Sequence, residues 1–175
     1  MAADARKFRR LAPLMMSELM REFSLPDWRA AAIAGNGGHE SGGFTIMQEG
    51  KPTVPGSRGG YGWFQWTGPR RRAFEAWCAD KGLDGASYEA NVGFLIAELR
   101  GQEKGALAAL RAAKTFEAAV IAFERAYERA GVKRDDRRLR WARMALEEFR
   151  ARQPNPKPLA TSGTVSGAAT PAAGG

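Results

Sequence analysis

Only one cysteine, Cys78, and one histidine, His39, occur in the 175 residues. No internal disulfide can form, so the fold must hold without one and can be made in a reducing cytosol. A zinc site built from His and Cys ligands is not expected for the same reason. His39 and Glu40 open like the HExxH pattern of zinc proteases, but Gly43 stands where the second histidine would be. The glycines nearby match neither a dinucleotide-binding nor a phosphate-loop spacing, and no nucleophile elbow occurs, so no cofactor is expected. Long apolar runs are missing too. Nothing approaches the ~20 residues a membrane-spanning helix needs. Basic residues stand near the start, but residues 11–20 include Pro13, Ser17 and Glu18 and make no signal-peptide core. The expectation is a chain made in the cytoplasm without a signal peptide, with no membrane span, and delivered by another agent if its target lies outside.

Positive charge is abundant. Lys and Arg number 27 against 19 Asp and Glu, a net charge of +8, which calls for an anionic partner. Nucleic acid is one such partner. A bacterial envelope, with its peptide carboxylates and wall phosphates, is another. The arginines cluster in residues 6–10, 70–72 and 133–140, and each cluster alone reads first as a solvated helix face. The length suits one domain. Residues 1–152 form that domain. Residues 153–175, rich in Pro, Ala, Gly, Thr and Ser, read as a disordered tail or linker.

The body reads as mainly α. Leu11, Leu14, Met15, Leu19 and Phe23 recur at three- and four-residue spacing, the mark of an amphipathic helix. Pro26 and Asp27 open a second helix through the alanines 30–34. From 35 to 68, glycines, prolines and alternating aromatics suggest loops and a small β-hairpin. A helix over 69–80 should stop at Gly82. Ser87 and Thr115 can each cap another, the first running to about Arg100 and the second, with Phe116, Val120, Phe123 and Tyr127 on one face, to Gly131. Asp135 or Asp136 starts the last helix, with Trp141, Met144, Ala145 and Phe149 inward. Cys78, beside Trp77, reads as a small buried hydrophobe.

The unusual chemistry lies between Gly35 and Arg72. Glu40 should sit at the end of the alanine-rich helix, among glycines that let a substrate come close. A carboxyl on a rigid helix end against an apolar wall has its ionised form disfavoured, which suits a general acid. An exposed helix-end glutamate is the plainer alternative. In residues 59–68, Tyr61, Trp63 and Gln65 should share one strand face, where rings can stack on sugars and the amide can bond hydroxyls. Phe64 and Trp66 would face the hairpin core.

Two segments together, GNGGHESGGF (35–44) and GGYGWFQWTGPRR (59–71), resemble the phage tail lysozyme family, a branch of the lysozyme-like superfamily that also holds goose-type lysozymes and lytic transglycosylases. The resemblance covers roughly residues 10–150. Residues 87–95 are similar to the family's helix after the sugar-binding hairpin, and residues 123–131 to its late F-E-R-P-G segment, with Ala130 where proline is common. It implies an α+β lysozyme-like fold in which a helical domain carries a small β-hairpin segment lining a substrate cleft. It implies cleavage of the β-1,4 bond between N-acetylmuramic acid and N-acetylglucosamine in peptidoglycan, with Glu40 as general acid, Gln65 in the cleft, and Tyr127 touching the catalytic carboxyl. Glycosidases usually employ a second carboxylate. Glu49, between the two motifs, is the candidate; a solvated loop glutamate is the other reading. Without it, the substrate's own N-acetyl group can act, as in lytic transglycosylases that yield 1,6-anhydro sugars. A non-catalytic wall-binding virion module on the same fold is the alternative from another class. Nucleic-acid binding rests on net charge alone and is not expected. The family also implies a phage tail or prophage setting, with action on the cell wall after virion delivery or release.

Overall fold

A computed structural model describes residues 2–52, 54–129, 131 and 134–154. Seven α-helices occur among them: α1 (Ala2–Phe23), α2 (Asp27–Glu40), α3 (Gly68–Lys81), α4 (Tyr88–Arg100), α5 (Lys104–Ala112), α6 (Phe116–Phe123) and α7 (Asp135–Ala151). A π-helical turn, Glu124–Glu128, continues α6. The 153–175 tail lies almost wholly outside the described residues. None of the described helices is long and apolar enough to cross a membrane.

The helix α2 is the spine. Its residues 30–38 are all buried, and α1, α6 and α7 pack around it. A helix apolar on every side is one that neighbours enclose. Alanine and glycine let those neighbours come close. A Cβ at Gly35 would fall 2.4 Å from the Cβ of Ala142 and 2.5 Å from its backbone nitrogen, so α7 presses directly on the α2 backbone. Gly37 and Gly38 give the same access to the rings of Phe64 and Phe8. Each interior glycine costs a helix about 1 kcal/mol relative to alanine. Tight packing offsets that, and the helix therefore runs past the glycines to Glu40. The two helices are antiparallel: Asp27 meets Arg150, Gly35 meets Ala142, and Glu40 meets Arg138. Buried Asn36 adds a tie to α6 by donating to the carbonyls of Ala32 and Val120 at 2.9 and 3.1 Å.

The long α1 buries Leu11, Met15, Leu19 and Phe23 as its spacing predicts, but Leu14 is half exposed. Pro13 lies inside it. Proline has no N–H, which leaves the carbonyl of Arg9 without its helical donor. The Arg152 guanidinium supplies one at 2.7 Å. The expected caps form: Ser87 Oγ accepts from Ala90 N, Thr115 Oγ1 accepts from Ala118 N, and Gly82 closes α3 in the left-handed region. The last helix buries Ala145 as expected. Trp141, Met144 and Phe149 are half-buried beside it, and Arg138 is buried in the same row.

Three features differ from expectation. The short α5 was not anticipated; only Ala106, Leu107 and Leu110 of its nine residues face the core, too brief a pattern to stand out. The helix after Thr115 stops short of Gly131, because it turns π-helical at Glu124 and Arg129 takes a left-handed φ of 52°. No strand occurs among the described residues. The expected hairpin is two isolated antiparallel bridges, Gln48 with Tyr61 and Tyr61 with Trp66. Tyr61 and Trp66 exchange both backbone hydrogen bonds, at 3.0 and 2.9 Å, so residues 62–65 are a tight loop. Gly62 at φ +82° and Gln65 at φ +46° break the extended backbone, so strand alternation does not govern which way these side chains point. The Asn91 carboxamide pins the loop to α4. Its oxygen accepts from Trp63 N at 2.8 Å, and its nitrogen donates to the carbonyls of Gly85 and Ser87.

Candidate active site

The first turn past α2 is fixed by Ser41. Its buried Oγ donates to the carbonyl of Gly37 at 2.7 Å and accepts from Phe44 N at 3.0 Å. Glu40, the last residue of α2, is thereby held at the wall of a cleft of about 360 Å³. Glu49, Phe64, Gln65, Thr67, Arg70 and Glu128 line the same cleft.

The Glu40 side chain is 21% exposed and reachable from the cleft. Arg138, 1% exposed, donates to Glu40 Oε1 from behind. Opposing forces act on this carboxyl. Burial pushes its pKa up, the Arg138 charge and hydrogen bond pull it down, and the Glu124 and Glu49 carboxylates push it up again. The outcome lies above the ordinary carboxylate range. Beside it, burial first and then Arg138 and Arg137 hold His39 down at about 4, so its ring is neutral at pH 7.

Glu49 reaches the cleft from the loop. Its Oε2 accepts from Gly60 N at 2.8 Å, and its own N–H donates to the carbonyl of Gly60 at 2.8 Å. A side chain at Gly59 would strike Glu49, and one at Gly60 would strike Gln65. The glycine pair thus lets the second carboxylate and the glutamine approach the same backbone. Gln65 directs its amide nitrogen back to the carbonyls of Gly62 and Ile46, at 2.8 and 3.2 Å.

The other aromatic expectations are corrected by position. Trp63 is fully buried, stacked on Phe44 at 4.2 Å, with no face left for a sugar. Tyr61 is half-buried away from the cleft, against Phe74 and beneath the Arg71 guanidinium. Tyr127 is fully buried, and its hydroxyl donates to Glu98, not to Glu40. That carboxylate also accepts from Trp66 Nε1 at 2.8 Å and receives both prongs of Arg70, at 2.8 and 2.7 Å. Tyr127 therefore braces the cleft floor through Glu98 and Arg70. Phe64, expected only as core, forms part of the cleft wall.

Sequence reasoning missed Arg138, Glu128, Arg70 and Thr67. For Arg138 a signal existed, since it precedes Ala142 and Ala145 by four and seven residues and so shares their inward row. Among the described residues, no three His, Cys, Asp or Glu side chains converge as metal ligands.

A helix-end glutamate and a loop carboxylate thus face one cleft. Residues 12–149 match phage tail lysozyme. The chain belongs to the phage tail lysozyme family. No curated protein and no solved structure matches it. As a phage tail lysozyme, it carries a lysozyme-like, peptidoglycan-lytic function. The match spans the helices α2 to α6 whole, the C-terminal half of α1 and all but the last two residues of α7, so both carboxylates and the cleft fall within it.

Proposed function

We propose that the protein is a peptidoglycan glycosidase that cleaves the β-1,4 bond from N-acetylmuramic acid to N-acetylglucosamine. Glu40 acts as the general acid. The observation that carries this reading is that Glu40, held at the end of α2 with its side chain 21% exposed, opens onto the same cleft as Glu49. Glu40 protonates the leaving glycosidic oxygen as the bond from C1 breaks. Positive charge then develops at C1 and the ring oxygen, and the Glu49 carboxylate stabilises it or orients the attacking water. Gln65 and Thr67 offer the polar groups that hold the sugars, with buried Phe64 backing the wall. The setting we favour is a virion or prophage protein that meets the bacterial wall after delivery.

Mass spectrometry of soluble products from purified peptidoglycan tests this. Wild-type protein is expected to release muropeptides with reducing muramic ends. Glu40→Gln should lose at least ~10² of the rate, the usual contribution of a general acid. Full lysis by the variant rejects the assignment. Products with 1,6-anhydro ends would replace hydrolysis by the transglycosylase reaction. Wall binding without products from either protein would leave a binding module.

A further inference from the structure

A second concavity, of about 240 Å³, adjoins the cleft and has no task in the glycosidase reading. Arg58, Arg71 and Arg72 line it, together with Gly56, Gly59 and Gly68. The two sites share their walls. Thr67 and Arg70 line the cleft, and their chain neighbours Gly68 and Arg71 line this pocket. Gly59 also lines the pocket, while Gly60 N donates to Glu49 in the cleft.

The charges of the two sites are opposite. Glu40, Glu49 and Glu128 stand in the cleft, where Arg70 is neutralised by Glu98. Three guanidiniums and no acid line the pocket. Glu75 is the one acid bonded to them among the described residues, accepting from Arg58 and from Arg71 Nε. Three cations against that carboxylate leave a surplus of two positive charges. Arg71 is built into the wall. It is buried, and its Nη1 donates to the carbonyls of Arg58 and Gly59 at 2.6 and 3.0 Å. Its Nη2 has no hydrogen bond among the described residues. A guanidinium held in this way loses little freedom when an anion arrives. Arg72 is exposed and pairs with no acid among the described residues.

The sugars of peptidoglycan are neutral N-acetylated rings. The carboxylates of its stem peptides, carried on N-acetylmuramic acid, supply negative charge. A strand in the cleft brings those carboxylates with it, and the cleft acids repel them while the pocket attracts them. An extended stem of three or four residues reaches about 10–14 Å from its sugar, enough to leave the cleft for a pocket that shares its wall. We propose that this pocket is a subsite for a stem-peptide carboxylate, with Arg71 as the fixed donor and Arg58 and Arg72 as the movable ones. The proposal rests on the glycosidase reading of the cleft. A guanidinium offers paired N–H groups that match a carboxylate, so the subsite distinguishes a free carboxyl from its amide.

The test employs peptidoglycan stripped of phosphate polymers, in its native form and with its carboxyls converted to amides. On the native form, Arg72→Gln should raise KM by up to about fivefold, the scale of a partly exposed ion pair, with kcat unchanged. On the amidated form, the variant and wild type should agree. Lys104→Gln removes the same charge from α5 and should leave both substrates unaffected. No rise for Arg72→Gln, an equal rise for Lys104→Gln, or a rise that persists on the amidated form overturns the subsite. Titration with a soluble disaccharide-tetrapeptide, followed by backbone amide NMR, needs no turnover. Wild type should show shifts at residues 56–59 and 68 that weaken in the Arg58→Gln, Arg72→Gln double variant and vanish with the amidated ligand. Wild type without those shifts also overturns it. A wild type that never hydrolyses the polymer would instead reject the glycosidase reading, and the titration would then decide on the pocket alone.

Discussion

At the scale of single residues, the centre is a contest between desolvation and one arginine. Arg138 is buried, bonds Glu40, and has its Nε and Nη1 without partners among the described residues. A fully ionised Glu40 would satisfy it best, but the remaining carboxylates of the cleft oppose that. His39, next in the chain, answers to the same cation. Its folded pKa of about 4 lies below the 6.5 of an unperturbed ring, so the fold accepts the neutral form. Stability from this source is complete above pH 6.5 and falls as pH drops toward about 4, because the unfolded chain takes up the proton first. Urea midpoints measured above 6.5 and close to 4 should differ less in His39→Asn than in wild type. An equal drop in both proteins would mean that other groups account for it. The place of Glu40 at a helix end was legible from the glycine-rich segment, and Glu49 lies in the expected loop, both lining the cleft. Trp63 and Tyr127 were misread, since an aromatic beside a cleft and one beneath it look alike in sequence. Glu128 was invisible because charged side chains are ordinarily solvated, and Arg138 was passed over for the same reason although its spacing to Ala142 and Ala145 placed it in the inward row.

At the scale of elements, α2 and α7 carry most of the architecture. The substitution Gly35→Ala places a methyl group where the backbone of Ala142 already lies, and neither helix can yield without opening the core. Overpacking of this kind costs about 1–3 kcal/mol, and denaturant unfolding should register a loss of that order. A stable Gly35→Ala protein would show that the two helices slide past each other freely. Helix boundaries were readable wherever a cap had a mechanism, as at Ser87, Thr115 and Gly82. The strand expectation failed because Gly62 and Gln65 impose a turn that alternation of aromatics does not reveal. Pro13 inside α1 also defies local preference, and its structural answer, Arg152, lies 139 residues away in sequence.

At the scale of the whole molecule, the net charge of +8 is the property most exposed to the environment. Attraction to an anionic wall acts over the Debye length, about 10 Å at 0.1 M salt and about 3 Å at 1 M. Co-sedimentation of Glu40→Gln with purified walls should therefore weaken between those two concentrations, with hydrolysis removed from the measurement. Binding that ignores salt would place recognition in the cleft alone. The family was legible from two motifs, a glycine-framed carboxyl and an aromatic loop in fixed order. The helical scaffold around them followed from spacing.

The register between α2 and α7 makes the catalyst tunable from outside its own cleft. Arg138 sits one helical turn before Ala142, and Ala142 rests on Gly35. The gap between these helices thus sets how firmly the guanidinium grips the acid. A bulkier residue far from any sugar would loosen that grip and raise the proton affinity of Glu40. With Glu40 as the proposed acid, a substitution that loosens the α2–α7 packing at Gly35 and Ala142 is expected to shift optimum pH together with thermal stability.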